Sequence, residues 1–204
     1  MSSTKRGRER NRADDYPTPS WCVRRFLEVV PLPAGRWLEP CGGEGNIIKN
    51  VTRSDVQWTA VEIREEAARK LASYQLVTAY HCDFLNTAWG PQHWDVVLTN
   101  PPFALAIEFV QSCLKLSTHV VMLLRLNFLA SEERAAFMRA SQPDVYVLPN
   151  RPSFFKKEVV SKLGKHSMRD VTDSIEYAWF HWHPHAQGIV RVLASTPKEE
   201  RDLG

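Results

Sequence analysis

The chain has 204 residues, 44% of them hydrophobic, which is enough to bury the core of one domain. No apolar run approaches the roughly 18–20 residues that cross a bilayer, and the polar, basic start lacks the apolar segment of a signal peptide. The four cysteines form no Cys-x-x-Cys pair, so no structural zinc is expected. We therefore expect a soluble, cytoplasmic protein with reduced thiols and no membrane partner.

The net charge of +3 is concentrated in two basic segments. Residues 1–12 hold five basic residues against one acidic residue, which predicts a flexible basic tail over residues 1–15. In the second segment, residues 151–169, Glu158 is the only acidic residue facing Arg151, Lys156, Lys157, Lys162, Lys165 and Arg169. Both segments are compatible with a solvated surface. Both also fit a polyanionic partner, because phosphate contacts supply much of the affinity for nucleic acids.

The elements alternate along the chain after an extended lead-in. The first helix is predicted from about Ser20, with apolar residues spaced for one stripe. Further helices are predicted at 43–51, 64–74, 104–116 and 131–141. Strands are predicted at 36–40, 58–63, 77–83, 94–100, 119–125, 144–150 and 175–183. This β-α-β rhythm indicates an α/β fold with a doubly wound, mostly parallel, seven-stranded sheet and helices on both faces.

The end of the chain departs from that rhythm. The strand-like segments 144–150 and 175–183 have no clear helical pattern between them, so we expect them to pair antiparallel at one edge. Residues 151–173, which hold the second basic segment, are predicted to be a basic insertion loop, since a loop this long is usually functional or disordered. The domain is predicted to span 16–195, followed by a C-terminal tail at 196–204.

Several predicted strands end in residues that suit a nucleoside ligand. Gly42 and Gly43 allow a tight turn and a close backbone approach after the first strand, although glycines also serve such turns for structural reasons alone. Glu62 ends the second strand about twenty residues later, where a carboxylate accepts hydrogen bonds from ribose hydroxyls. After the third strand, Asp83 is expected to accept from an adenine amine, while Phe84 covers the ring.

The strand at 94–100 runs into Asn100, Pro101, Pro102 and Phe103. Two consecutive prolines cannot pair in a sheet, and they hold the following turn rigid. A Pro-Pro turn that only terminates a strand does not require an Asn before it and an aromatic residue after it. The glycine loop reads G-G-E-G, which departs from the G-x-G-x-x-G of a nicotinamide site.

With these motifs in order, the sequence resembles a known family. "YPTP", "EPCGGEGN", "VEI", "CDF" and "NPPF" resemble the sequential motifs of S-adenosylmethionine-dependent N6-adenine DNA methyltransferases. The resemblance covers residues 16–150, and "RPSF" and "EYAWFHW" also resemble the end of small phage-type enzymes that have no large target-recognition domain. It implies a Rossmann-like class I methyltransferase fold, S-adenosylmethionine as cofactor with S-adenosylhomocysteine as product, a DNA substrate of short or relaxed sequence specificity, and a bacterial or phage-infected host cell.

The resemblance also implies roles for individual residues. The Asn100 side-chain oxygen and the Pro101 carbonyl would accept both hydrogens of the adenine amine, and Phe103 would stack on the flipped base. Thr18 and Pro19 would lie near the methionine carboxylate, and Glu39 near its amine. The full cofactor-binding set implied by the resemblance is Tyr16, Thr18, Pro19, Glu39, Pro40, Cys41, Gly42, Gly43, Glu62, Ile63, Asp83, Phe84 and Asn100. The sequence Cys41-Gly42-Gly43 departs from the usual glycine, small residue, glycine pattern.

Other functions remain open from the sequence. Asn-Pro-Pro-aromatic corners also serve methylation of amines on RNA bases, adenine or guanine, and of protein glutamine. A non-catalytic nucleic-acid-binding protein with the same fold is a third class. The histidines at 181, 183 and 185 are spaced for one strand face, but Pro184 interrupts the strand and the chemistry above needs no metal, so no metal site is predicted.

Overall fold

The computed structural model describes residues 17–160, 166–172 and 174–201. Ten strands are present in these ranges: β1 (Gly35–Glu39), β2 (Val56–Glu62), β3 (Val77–His81), β4 (Val96–Thr99), β5 (Val120–Arg125), β6 (Asp144–Val147), β7 (Ser153–Val160), β8 (His166–Thr172), β9 (Tyr177–Trp182) and β10 (Val190–Val192). The helices are α1 (Ser20–Leu27), α2 (Asn46–Lys49), α3 (Glu65–Ala72), α4 (Ala106–Cys113), α5 (Glu132–Ala140) and α6 (Lys198–Arg201).

Eight strands form one sheet in the order β10-β6-β9-β5-β4-β1-β2-β3. All neighbours pair in parallel except β9, which lies antiparallel between β5 and β6. The predicted fold class and the antiparallel pairing of β6 with β9 are confirmed, but the predicted count of seven strands is wrong. The additional strand, β10, has three residues that are all exposed, so it shows none of the burial alternation by which a strand is recognised in a sequence.

The parallel strands all end on one side of the sheet and begin on the opposite side. We call the side where β1–β6 end the carboxyl edge and the side where they begin the amino edge. Because β9 is antiparallel, it begins at the carboxyl edge and ends at the amino edge. Ligands of doubly wound sheets bind at the carboxyl ends of the strands, so the carboxyl edge is where a site is expected.

Successive strand residues point into two cores on opposite faces of the sheet. Trp37 and Leu98 pack with α1 on one face. Leu38 and Val97, their neighbours in sequence, pack with Phe109 of α4 on the other face. Because both faces are covered, the central strands are buried along their length and read as continuous apolar runs.

The basic segment 151–173 differs from the predicted loop. Strands β7 and β8 pair antiparallel in a separate two-stranded ribbon, with register from Ser153 opposite Thr172 to Val160 opposite His166. The two strands of the ribbon are held together by backbone hydrogen bonds between neighbouring segments. Because this pairing does not require an apolar face, no alternation of apolar residues marks the ribbon in the sequence. Lys162, Lys165, Tyr16 and the predicted tail at 1–15 lie outside the described residues.

Residues 196–201, predicted as part of a tail, are packed against the first helix. Thr196 is 2% exposed and accepts a hydrogen bond from Arg25 of α1 at 3.0 Å. The same guanidinium forms an ion pair with Glu200 at 2.8 Å. These contacts are polar, so no apolar stripe marks them in the sequence. Within the described ranges, no helix is long and apolar enough to cross a membrane.

Candidate active site

A cavity of about 640 Å³ opens at the carboxyl edge, a size that suits a small ligand. Most of the predicted site residues line it: Thr18, Glu39, Pro40, Cys41, Gly42, Gly43, Glu62, Ile63, Asp83, Phe84, Asn100 and Pro102. Pro19, Pro101 and Phe103 are not among the lining residues. The structure therefore brings together residues from the ends of four strands, from Glu39 to Asn100, that are far apart in sequence.

The glycine loop after β1 is shaped by packing as well as by the cavity. A Cβ at position 42 would lie 2.6 Å from Cδ1 of Leu71, so α3 leaves no space for a larger residue there. Gly43 has φ of 51°, in the left-handed region that favours glycine. The N–H of Gly42 donates to the Val61 carbonyl at 2.8 Å, which ties the loop to β2.

Glu62 at the end of β2 is a hub of the cavity wall. It is 6% exposed, and its carboxylate accepts from the Gly43 N–H at 2.8 Å and the Arg64 N–H at 2.9 Å. The Arg64 guanidinium also donates to Glu62, with Nε at 2.9 Å, and Arg64 itself lines the cavity. Sequence reasoning missed Arg64, although its position directly after a strand end was a usable signal.

Glu39 at the end of β1 is a buried carboxyl group, only 1% exposed. Burial raises the pKa of Glu39 well above its ordinary value, and the nearby carboxylate of Glu62 adds to this effect. The N–H of Cys41 donates to Glu39 at 3.2 Å, which offsets only part of the cost. The carboxyl group therefore favours a ligand that brings a positive charge.

Asp83, which follows β3, shapes the loop after it. One carboxylate oxygen accepts from the Leu85 N–H at 3.0 Å, and the other accepts from the Asn86 side chain at 2.6 Å. Phe84 stacks on Phe109 of α4 with ring centroids 5.5 Å apart, and it is 4% exposed. Asn86 also lines the cavity and was not predicted, because only its contact with Asp83 marks it out.

The Asn-Pro-Pro-Phe corner begins directly at the end of β4. The Asn100 amide nitrogen donates to the Thr18 hydroxyl at 3.1 Å, and Thr18 is 4% exposed. This hydrogen bond fixes the rotation of the amide and connects the segment before α1 to the corner. Pro101 is buried, so the backbone that follows Asn100 is held in place both by packing and by the rigid proline ring.

Phe103 packs outside the cavity in an aromatic cluster. Its ring centroid is 5.4 Å from that of Tyr177 and 6.2 Å from that of Phe154. The Arg125 guanidinium lies over one face of the Phe103 ring, 4.8 Å from the centroid. Phe154 belongs to β7 and Tyr177 to β9, so the base of the ribbon packs against the corner.

Of the predicted phosphate-binding residues, those on the described ribbon lie on its two strands. Lys156 and Lys157 are on β7, and Arg169 of β8 is opposite Lys157 in register. Arg151 precedes β7 and forms an ion pair with Glu176 at 2.7 Å. The ribbon joins the sheet at the carboxyl edge, because β6 ends there and β9 begins there.

A second polar cluster lies at the amino edge. His183 hydrogen-bonds Asp144 at 2.9 Å, and its ring stacks on that of His181 at 4.2 Å. His181 is also 3.2 Å from His119, between Nε2 and Nδ1. Among the residues that the structure describes, no three metal-ligating side chains are arranged to hold a metal ion.

Several solved structures share this fold at low sequence identity. The 23S rRNA methyltransferase ErmE matches with a TM-score of 0.54 and 16% identity over 83% of this chain and 69% of its own. A proposed RNA methyltransferase from Pyrococcus horikoshii matches with a TM-score of 0.54 and 16% identity over 89% and 95% of the two chains. An S-adenosylmethionine-dependent O-methyltransferase from Thermotoga maritima matches with a TM-score of 0.53 and 14% identity over 90% and 70%.

These similarities define the fold, which is that of the Rossmann-like S-adenosylmethionine-dependent methyltransferases. No protein-family model and no curated protein matches the sequence.

Proposed function

We propose that the protein binds S-adenosylmethionine and methylates the exocyclic amine of a nucleic-acid base, with adenine as the leading candidate. The observation on which this rests is the single cavity wall that joins acidic strand ends, Glu39 and Glu62, to Asn100 of the Asn-Pro-Pro-Phe corner. A ligand-facing carboxylate at the end of β2 suits ribose hydroxyls, and the corner suits an amine. Both are needed for methyl transfer to nitrogen.

The donor set of the cavity fits the cofactor. In the proposed pose, Glu62 accepts from the ribose hydroxyls, with Ile63 beside them, and Asp83 and Phe84 hold the adenine. Glu39 faces the methionine amine, whose positive charge offsets the cost of ionising this buried carboxyl group. The remaining proposed contacts of the methionine and ribose are Tyr16, Thr18, Pro19, Pro40, Cys41, Gly42 and Gly43.

The chemistry assigned to the corner is activation of a poor nucleophile. The lone pair of an aromatic amine is delocalised into the ring, and two acceptors on its hydrogens draw the nitrogen toward tetrahedral geometry. The proposed acceptors are the Asn100 oxygen and the Pro101 carbonyl. They are pre-positioned, since Thr18 holds the Asn100 nitrogen and Pro101 is buried.

The cofactor supplies an electrophilic methyl group on a sulfonium. With the cofactor bound, the N–CH₃ bond would form as the S–CH₃ bond breaks, which would leave S-adenosylhomocysteine. The amine proton departs to solvent after transfer, because the methylated amine is more acidic, so no strong general base is required of the chain.

The polynucleotide is proposed as DNA or RNA. The order of the motifs favours DNA adenine, because it resembles that of the N6-adenine DNA methyltransferases. Structural similarity favours RNA at least as well, because two of the similar structures are described as RNA methyltransferases. Basic residues of the ribbon support a nucleic acid over a protein glutamine in both cases.

Transfer of labelled methyl groups to DNA, RNA and protein in parallel, followed by nucleoside analysis, tests the proposal. We expect N6-methyladenine in one of the two nucleic acids, with Asn100→Ala as the inactive control. Label that appears only in protein, or in neither nucleic acid despite measurable cofactor binding, would contradict it.

The ribbon is proposed to position the substrate through its phosphates. Replacing Lys156, Lys157, Lys162 and Lys165 with Ala should weaken nucleic-acid binding uniformly across sequences. It should also flatten the salt dependence by up to about one unit of slope per lost contact. S-adenosylmethionine affinity should not change. An unchanged salt slope would leave the basic tail at 1–15 as the better candidate for these contacts.

A further inference from the structure

Arg125 stands out at the carboxyl edge because its position joins the corner to the ribbon. It is the last residue of β5, the strand next to β4, and it is opposite Tyr177 in the register with β9. Its guanidinium lies 4.8 Å from the centroid of the Phe103 ring. Arg125 is partly buried, so the stacked guanidinium is held at the corner instead of extending into solvent.

The Arg125 guanidinium has few hydrogen-bond partners in the described part of the chain. Within the described part of the chain its Nε is buried without a hydrogen-bond partner, and no carboxylate forms an ion pair with it. Arg134 is the informative contrast, because it also lies over a ring, that of Phe128, at 4.7 Å. There, however, Nε donates to the Phe128 carbonyl at 3.1 Å.

A partly buried cation without an acceptor needs one from elsewhere. Arg64 and Arg151, two other arginines near this edge, are both paired with glutamates. The planar guanidinium fork matches the two non-bridging oxygens of a phosphodiester, a geometry that a lysine ammonium cannot reproduce. Phe103, on which Arg125 stacks, is the residue expected to contact the target base, so a phosphate next to that base would lie within reach.

We propose that Arg125 binds a backbone phosphate next to the target base and thereby selects a polynucleotide over a free nucleoside or a peptide. The inference rests on the proposed function, and it names a substrate-selecting residue at that same corner. Arg125 contacts Phe103, which packs against Phe154 at the base of the ribbon, so a phosphate at Arg125 would lie near the start of the strand that carries Lys156 and Lys157. The phosphodiester is common to DNA and RNA, and both are tested.

The experiment measures kcat and KM for methyl transfer to matched single-adenine DNA and RNA oligonucleotides over a range of salt concentrations. Arg125→Gln and Arg125→Lys are compared with Arg53→Gln. Arg53 is the matched control because its guanidinium also lies over a ring, that of Trp37 at 5.4 Å, but at the amino edge and paired with Asp55. S-adenosylmethionine affinity is measured for each variant as a check on the cavity.

We expect Arg125→Gln to raise KM by about tenfold and to reduce the salt slope by about 0.7–0.9 units, the loss of one phosphate contact. Arg125→Lys should restore the slope but only part of KM, since it keeps the charge and loses the fork. A substrate with a neutral methylphosphonate next to the target adenine should raise the KM of the wild-type enzyme by the same factor. The same substrate should not raise the KM of Arg125→Gln any further. The substrate on which these effects appear, DNA or RNA, is the source of the phosphate.

An unchanged salt slope with a lower kcat would overturn the proposal, because Arg125 would then only hold Phe103 in place. Oligonucleotide binding measured by fluorescence anisotropy separates this inference from the proposed function. If neither nucleic acid is methylated but Arg125→Gln still lowers the salt slope of binding by about 0.7–0.9 units, the proposed function fails and the phosphate contact stands. If binding is independent of Arg125, the phosphate contact fails, whatever the enzyme methylates.

Discussion

The two edges of the sheet each contain a cluster of buried polar groups, and the clusters are arranged differently. At the carboxyl edge, Glu39, Glu62 and Asn100 all line one cavity. At the amino edge, His183 bonds Asp144 and His181 contacts His119. The side chains at the carboxyl edge face a cavity that can hold a ligand, whereas those at the amino edge contact one another.

Both clusters shift the pKa of a buried group, so a shifted pKa does not by itself identify a site. Burial raises the pKa of Glu39 at the carboxyl edge, and burial lowers the pKa of His181 to about 3 at the amino edge. Burial alone would raise the pKa of Asp144, but hydrogen bonds from His183 and two backbone N–H groups lower it. The difference is in what the polar groups face, and variants at each edge should separate function from stability.

The largest effect is expected from Asn100→Ala, which removes one of the two proposed acceptors of the amine. The rate of methyl transfer should fall on the order of 10²-fold or more, while the thermal unfolding midpoint stays near that of the wild type. Asn50→Ala is the control, since the Asn50 side chain donates to the Asn46 carbonyl at 2.7 Å and does not line the cavity. Near-normal turnover by Asn100→Ala would remove the corner from the mechanism.

Carboxylates from the two edges should behave in opposite ways. Glu62→Ala and Asp83→Ala should each weaken S-adenosylmethionine binding, by roughly ten- to a hundredfold, since hydrogen bonds to charged groups contribute about 1.5–3 kcal/mol. Asp144→Asn at the amino edge should lower stability and leave cofactor affinity unchanged. Calorimetry that finds unchanged affinity in both carboxyl-edge variants would contradict the proposed pose.

Glu39→Gln should lower the affinity for the cofactor but raise the stability of the fold. In the unfolded chain Glu39 ionises near its ordinary value of 4.5, whereas the folded carboxyl keeps its proton to higher pH. Stability is therefore lost as the pH rises from 4.5 toward the raised pKa, and a neutral Gln avoids that loss. We expect a higher unfolding midpoint at pH 7–8 and cofactor affinity lower by about tenfold. A lower midpoint would mean that the carboxyl group stabilises the fold.

A further prediction concerns pH and the amino edge. Unfolded His181 takes up a proton below about pH 6.5, but the folded side chain resists protonation down to about 3. Stability should fall as the pH falls through this window, by at most about 1.4 kcal/mol per pH unit. His181→Phe should flatten the profile of unfolding free energy against pH, and His93→Gln, at an exposed position, should not. Equal slopes for His181→Phe and the wild type would remove His181 from the acid response.

The sheet could be predicted because its strands are buried on both faces. Runs such as 120–124 and 96–98 are apolar throughout, and the helices between the strands have a clear period. The elements that the sequence did not reveal, β10, the ribbon and α6, are held by edge pairing, local backbone hydrogen bonds and polar contacts. None of these leaves an apolar pattern along the chain.

The candidate site divides in the same way. Residues at strand ends, such as Glu62 and Asn100, could be placed from the sequence because parallel strands end at one edge. Arg64, Asn86 and Arg125 were missed. Arg64 and Arg125 also lie at strand ends, but their roles depend on contacts that the side chains make only in the folded protein. Phe103 was placed on the substrate side by resemblance, but its packing against Phe154 and Tyr177 depends on a ribbon that the sequence did not show.

The antiparallel course of β9 has an evolutionary consequence. Strand β6 ends and β9 begins at the carboxyl edge, so any segment inserted between them emerges beside the Asn-Pro-Pro-Phe corner. Its length can change without altering the register of the sheet or the cavity wall, because its two ends are already adjacent. Under the proposed function, lengthening or exchanging the ribbon would therefore change how firmly the nucleic-acid backbone is held, while the cavity wall stays the same.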